Sequence, residues 1–543
     1  MTIEVAVTRL LPESKSIRPV SCISIEPPMP PPILSRRSDA KGAGTMDDVT
    51  SKPVPDGTSA AVAESPAADA AVLAKKTGIS QVGASSHELR ALHGLRFLAA
   101  FCILFSHACS WLANFKDTRT IFGYGEFFTV YGMPLFFVLS GFVIHYNYSR
   151  LFSTMRSRWA IFEFLGARFA RLYPLFISFF LVGFAVDGVL QWYYEHKLNL
   201  LLVMTHYLTL TQSWVYITLF GDRLLLDGPF GLSWSLSTEF FFYVTYIVLV
   251  LHVARMRSIA GLLIIAAAMS VLVLATFAYA AHHRDAISAF GMQYMNANIK
   301  GSDHTVFWWF FYYSPYGRVF EFILGCLTAQ IYAIFSQHPV SAREERWGRI
   351  VLNASLVFLL AFALVYLFRP FGPEVAKYAE LLKLNFGCAV GLAALVFCVS
   401  RYRSSTVALM LSTPLMVLLG DLSFSIYAVH TYTLRIFERP PMDFRDGVEL
   451  EAALRIVLGI ALTLILSTAT FRLIEVPARA WLRKVVAQRL LRSFGPREAN
   501  MLAAEEIYSS DREIVIGTLF VALICALLTY QFLIVPYFTP YVR

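Results

Sequence analysis

Runs of mostly apolar residues, each close to the roughly 20 needed to cross a hydrocarbon core of about 30 Å, recur along the chain from residue 91 onward. They predict transmembrane helices over 91–113, 127–146, 169–190, 232–252, 258–281, 315–335, 348–368, 378–399, 416–438, 452–474 and 514–535. Two long connections, 191–231 and 282–314, are too apolar and aromatic (LLVMTHYLTLTQSW, FWWFFYY) for plain hydrophilic loops. They are expected to fold back into the outer leaflet. Residues 475–513 are basic and then mixed in charge, which predicts a cytoplasmic surface helix ahead of the last run. Residues 1–86 break the pattern: EPPMPPPIL and DGTSAAVAESPAADAA bury too little apolar surface to offset the entropy of ordering, which predicts a disordered cytoplasmic tail. No basic start followed by an apolar core opens the chain, so no cleaved signal peptide is expected.

Composition agrees with the pattern. With 57% hydrophobic residues, 15% charged and a mean hydropathy of +0.57, a soluble globular protein is excluded and an all-α polytopic membrane protein is expected. The net charge of +9 does not point to nucleic acid, because Lys and Arg are scattered among short loops. Taken in alternate connections they number eighteen on the side of the N-terminus and eleven on the other. The positive-inside rule then places the N-terminus in the cytoplasm and the C-terminus outside. Seven cysteines, mostly within apolar runs and without CxxC spacing, read as packing residues. His282 and His283 have no third ligand at useful spacing, so no metal site is expected.

The candidate chemistry lies in polar groups that hydrocarbon penalises. In GLRFLAAFCILFSH, Arg96 and His107 stand eleven residues apart, which in a helix is three turns plus about 20° and a rise of about 16.5 Å. They share one face, Arg96 near the cytoplasmic edge and His107 beyond the midplane. In GLSWSLSTEFFFY, Ser235 and Glu239 also share a face. On an inward-running helix Glu239 lies about 10 Å below the outer boundary, and His107 about 9 Å below it by the same rise. A carboxylate beside an imidazole would fix its tautomer and stabilise the imidazolium, as a general base requires. Ser235 and Trp234 are candidate oxyanion or acceptor contacts. In RFARLYP, Arg168 and Arg171 point the same way at the cytoplasmic start of the third run, an anion site suited to phosphate. Bland readings stand beside each of these: a neutral histidine bonded to a neighbouring helix, an arginine that snorkels, and arginines set by topology alone. Arg318 and Glu321, three apart, read as a mutually neutralising pair.

The ordered set resembles the membrane acyltransferase-3 family, which O-acylates bacterial surface and secreted carbohydrates. The motifs are R-x10-H (Arg96, His107), YGMPLFFVLSGFVI, the R-x-x-R of RFARLYP, LSWSLSTEFFFY, GRVFEFILGCLTA, LGDLSFSIYAVH and RLIEVPARAW, in order over residues 88–482. The resemblance implies a ten-helix acyltransferase bundle over 87–482, here preceded by the 1–86 tail. A basic linker at 483–513 and an eleventh helix with a short outer tail at 514–543 would follow. The chain ends after PYFTPYVR, so the hydrolase-like domain that follows an eleventh helix in some members is not expected. Further implications are His107 as catalytic residue and Arg168 and Arg171, with Arg96, as contacts to coenzyme A. Acyl-CoA, acetyl-CoA first, would be a co-substrate and no cofactor would be permanently bound. A carbohydrate acceptor and the bilayer would be the partners, in a bacterial inner membrane. A secondary transporter or glycan exporter, with Arg96, His107 and Glu239 lining a proton or substrate path, is the alternative. The sequence assigns no oligomeric state.

Overall fold

A computed structural model describes residues 90–112, 125–154, 158–186, 197–219, 223–295, 305–368, 372, 378, 381–383, 385–438 and 448–495. The 1–86 tail and the eleventh run at 514–535 lie outside them. Among the described residues eight helices are long and apolar enough to cross a membrane, or nine if one bent pair is a single span.

Helix α1 (Arg90–Leu112) lies at the centre, packed on α2 (Thr129–Thr154) and on three later helices: α12 (Pro414–Asp421), α13 (Ser423–Phe437) and α14 (Val448–Thr470). Its Leu95, Ala99, Ala100, Leu104 and Ala108 are buried. Small residues on this face let the neighbouring backbones approach, which is how helices associate where lipid is as apolar as leucine. The tightest contact of this kind joins α2 to α8 (Pro315–Phe335). A Cβ at Gly141 would lie 2.0 Å from the Phe322 carbonyl oxygen, and one at Gly325 2.1 Å from that of Val138. The two backbones therefore touch. Helices α6 (Ile259–His282) and α9 (Ala342–Phe368) are peripheral; only 17% and 22% of their most apolar windows are buried, leaving Ile264, Val271 and Val357 to face lipid.

Besides α2, which continues to Thr154, and α9, which starts at Ala342, three expected spans differ from the sequence reading, each for an identifiable reason. Helix α3 runs Arg158–Val186 and so begins eleven residues before the apolar run. The two arginines that mark the edge of that run lie well inside the helix, where Arg168 is buried and its Nη2 donates to the Tyr148 hydroxyl at 2.9 Å. In the expected 378–399 span residues 381–383 are helical, residues 385–388 form a turn, and helix resumes at Ala389–Arg401. It is interrupted at Phe386, which has φ 60°. A buried polar network holds that turn: Asn385 donates to the carbonyls of Phe311 and Gly317, and the Phe386 amide donates to Glu321, itself paired with Arg318. The expected 416–438 span is α12 and α13, bent by 64° at Leu422. Hydropathy averages over such a break and cannot see it.

The 475–513 segment is described as far as Gly495. A π turn at Phe471–Glu475 links α14 to α15 (Val476–Phe494), so the junction expected at 482–483 falls inside a helix. Helix α15 packs on α3, with Val486 against Gly166 and Phe494 against Phe162. In the 191–231 connection, helix α4 (Lys197–Leu208) leads to a buried loop and a two-residue β ribbon, Thr218–Leu219 with Arg223–Leu224. This loop is pinned to α5 (Trp234–Val253): Gln212 bonds Ser233, and Ser213 bonds Ser237 and Thr238.

Candidate active site

The bend between α12 and α13 and the inner faces of α1, α2, α3 and α5 enclose a cavity of about 370 Å³. Its lining includes His93 and Arg96 from α1 and Arg168 and Arg171 from α3, together with Ser235, Leu236, Phe136, Phe424 and Tyr427. The sequence LSWSLSTEF divides its polar groups between two tasks. Ser233, Ser237 and Thr238 hold the loop at Gln212 and Ser213, while Ser235 and Glu239, four apart, face the cavity.

The basic side chains of the lining are held differently. His93 Nδ1 bonds Asp421 Oδ1 at 2.7 Å. The Arg168 guanidinium sits 4.8 Å from the centre of the Tyr148 ring besides bonding its hydroxyl. Arg96 and Arg171 make no hydrogen bond or ion pair among the described residues, so their donors are open to an anionic ligand. Glu239 Oε1 accepts from Ser140 Oγ at 3.0 Å and from the Tyr243 hydroxyl at 2.7 Å. Glu475, on the π turn, is buried; its Oε2 accepts from Ser425 Oγ at 2.8 Å and its Oε1 lies 3.7 Å from Arg479 Nη1.

His107 is not part of the cavity lining. Its Nδ1 is 2.9 Å from His430 Nε2, the two rings meeting edge to edge with centroids 5.2 Å apart and planes at 23°, and its face stacks on Trp111 (centroids 4.9 Å apart, planes at 10°). His430 is fully buried, and its Nδ1 lies 2.6 Å from the Tyr427 carbonyl oxygen. The pairing of His107 with Glu239 expected from their depths is corrected: no hydrogen bond joins them, and each has other partners. Helical rise sets only the axial coordinate. Rotation and packing decide which groups meet, and they turn Glu239 toward Ser140 and the arginines. The shared face of Arg96 and His107 does have a common neighbour in α13, whose Phe424 and Tyr427 line the cavity beside Arg96 and whose His430 meets His107.

Ser235 lines the cavity, its hydroxyl 2.8 Å from that of Tyr427. Trp234 does not line it; it is buried against Phe137, Tyr312 and Tyr313. Sequence reasoning missed His430, Tyr427, Glu475 and Ser140. The signal was present, since LGDLSFSIYAVH and RLIEVPARAW carry polar groups within apolar runs, the same oddity that singled out His107.

The acyltransferase domain of the acyltransferase-3 family matches residues 89–472. The chain belongs to that family, a class of membrane proteins that transfer acyl groups other than aminoacyl groups. Two curated relatives are similar to it. Nodulation protein 10 of Rhizobium leguminosarum bv. viciae is 28% identical over 190 residues, 32% of this chain and 47% of that protein. Acyltransferase MdmB of Streptomyces mycarofaciens is 25% identical over 371 residues, 65% of this chain and 80% of that protein. No solved structure matches.

Proposed function

We propose that the chain is a membrane O-acyltransferase that moves an acyl group, acetyl first among candidates, from acyl-CoA to a hydroxyl of an exported or cell-surface carbohydrate. In this reading the protein sits in a bacterial inner membrane with the N-terminal side cytoplasmic. The observation that carries it is a cavity lined by three guanidiniums and by Tyr427, whose carbonyl backs a histidine pair.

The phosphates of coenzyme A meet Arg96, Arg171 and Arg168, whose planar forks suit bidentate contacts. A cavity of this size falls within the range that encloses small ligands, and its apolar walls at Met133, Phe136 and Phe137 suit the pantetheine arm. Amide groups of that arm find acceptors and donors at Glu239, Ser140 and Asn147. The thioester is carried toward Ser235 and Tyr427, beyond which lie His430 and His107. There His107 Nε2 removes the proton of the acceptor hydroxyl as its oxygen attacks the thioester carbonyl. The new C–O bond forms, the C–S bond breaks, and the proton passes from His107 to the departing sulfur, releasing coenzyme A as a thiol. General-base help of this kind contributes roughly 10² to 10⁴-fold. The Ser235 hydroxyl is the nearest side-chain donor on the cavity side for the oxyanion.

The test supplies labelled acetyl-CoA and a glycan extract to the membrane-embedded protein and follows label into glycan. Loss with His107→Ala supports the reading; persistence of label rejects it.

A further inference from the structure

We infer that His430 is a positioning residue that fixes His107 in the tautomer leaving Nε2 bare for the acceptor proton, an inference that rests on the reading of His107 as the base. The Tyr427 carbonyl can only accept, so the 2.6 Å contact places a proton on His430 Nδ1. A neutral His430 then offers Nε2 solely as an acceptor, and Nε2 is 2.9 Å from His107 Nδ1. His107 Nδ1 therefore carries the proton and donates. Its Nε2, on the far side of the ring, keeps the lone pair.

The opposite assignment would make His430 a cation in a fully buried position whose hydrogen-bond partners are His107 and a carbonyl. Burying an uncompensated charge there is far costlier than keeping both rings neutral. Ring rotation that would exchange the nitrogens of His107 is opposed by the stacking of Trp111 on its face and by loss of the edge-to-edge hydrogen bond to His430. When His107 takes up a proton, its Nδ1–H is already directed at His430, whose own N–H is directed at the Tyr427 carbonyl. The dipoles align along one chain and favour the imidazolium as it forms. A carboxylate more often orients a histidine base, but in hydrocarbon it would carry its own desolvation cost. A neutral imidazole backed by a carbonyl gives the tautomer without that charge, and Glu239 is left to the cavity.

The experiment measures acyl transfer from acetyl-CoA by the full chain in liposomes, with kcat and donor KM separated, for wild type, His430→Leu, His430→Asn, His430→Gln and His107→Ala. The glutamine carbonyl reaches far enough to accept from His107 Nδ1; asparagine stops short and leucine accepts nothing. The expected result is a kcat lowered by about a hundredfold or more in the leucine and asparagine variants, an unchanged donor KM, and a partial return of kcat with glutamine. Leucine and asparagine variants with kcat near wild type, or glutamine no better than asparagine, overturn the role of His430 while an inactive His107→Ala leaves the base intact. An active His107→Ala overturns the reading beneath it. Should the leucine variant fail to fold, the asparagine and glutamine pair decides.

Discussion

The hydroxyls of Tyr427 and Ser235 lie 2.8 Å apart, joining α13 to α5 at the cavity lining. Each is also 3.1 Å from the Leu232 carbonyl oxygen, so while one hydroxyl donates to that oxygen the other can donate to its partner hydroxyl. The phenol ring thus stands between the arginine-lined space and the histidine pair, with its backbone carbonyl on His430 and its side chain on the cavity. Tyr427→Phe keeps the ring and the carbonyl and removes hydrogen bonds worth about 0.5–1.5 kcal/mol each. Transfer is expected to fall less than about tenfold, by 1.4 kcal/mol per decade. Tyr427→Ala removes the wall and admits water, so thiol release from acyl-CoA without acceptor is expected to rise relative to transfer. A thiol-reactive dye read with and without glycan checks both.

Arg96 and Arg171 have no protein partner among the described residues, and their replacement should act on donor binding rather than on chemistry. A hydrogen bond to a charged group contributes about 1.5–3 kcal/mol, so Arg171→Ala and Arg96→Ala should each raise donor KM by roughly 10- to 100-fold. Lysine at position 171 should recover only part of the loss, because a point charge cannot reproduce the planar fork. Initial rates across a range of acetyl-CoA concentrations measure this.

How far the sequence reveals this arrangement follows from what hydropathy and helical periodicity can encode. Apolar runs located α1, α5, α6 and α8 to within two residues and α2 and α9 at one boundary each, α2 running on eight residues past its run and α9 starting six before it, because each is a continuous helix built on an apolar run. The same runs concealed the break at Leu422 and the turn at Phe386, which depend on distant polar partners rather than on local composition. In the site, the spacing of Arg96 and His107 and that of Ser235 and Glu239 determined which groups share a helix face. Which face meets which is a property of packing, and so the partner of His107 proved to be His430, 323 residues away, instead of a carboxylate at the same depth.

Arg318 and Glu321 are both fully buried, with Arg318 Nη1 3.2 Å from Glu321 Oε1, and they anchor the turn that begins α10 (Ala389–Arg401). Removing one partner of such a pair leaves an uncompensated charge and costs about 3–5 kcal/mol. Glu321→Ala and Arg318→Ala should therefore each greatly reduce the monodisperse fraction after detergent extraction. An Arg318→Met, Glu321→Leu double variant should lose less than the two single changes added together. Size-exclusion profiles and thermal unfolding of the extracted protein provide the comparison.

At Gly141 the added methyl group of alanine would lie 2.0 Å from the Phe322 carbonyl oxygen, a backbone atom that cannot yield without separating α2 from α8. Overpacking of this kind typically costs about 1–3 kcal/mol. Gly141→Ala should lower the unfolding temperature and, since α2 carries Ser140 against Glu239, lower transfer as well. Gly372 is the control, since a methyl group there would meet nothing within 4 Å while its φ is +77°; alanine should shift the unfolding temperature only through backbone strain.

The most direct measurement is single-turnover transfer of labelled acetyl from acetyl-CoA to glycan by His107→Ala protein that is folded and still binds the donor. The expected result is a rate reduced by roughly 10² to 10⁴-fold with donor affinity retained. Transfer within a few-fold of wild type would contradict the assignment of His107 as the base.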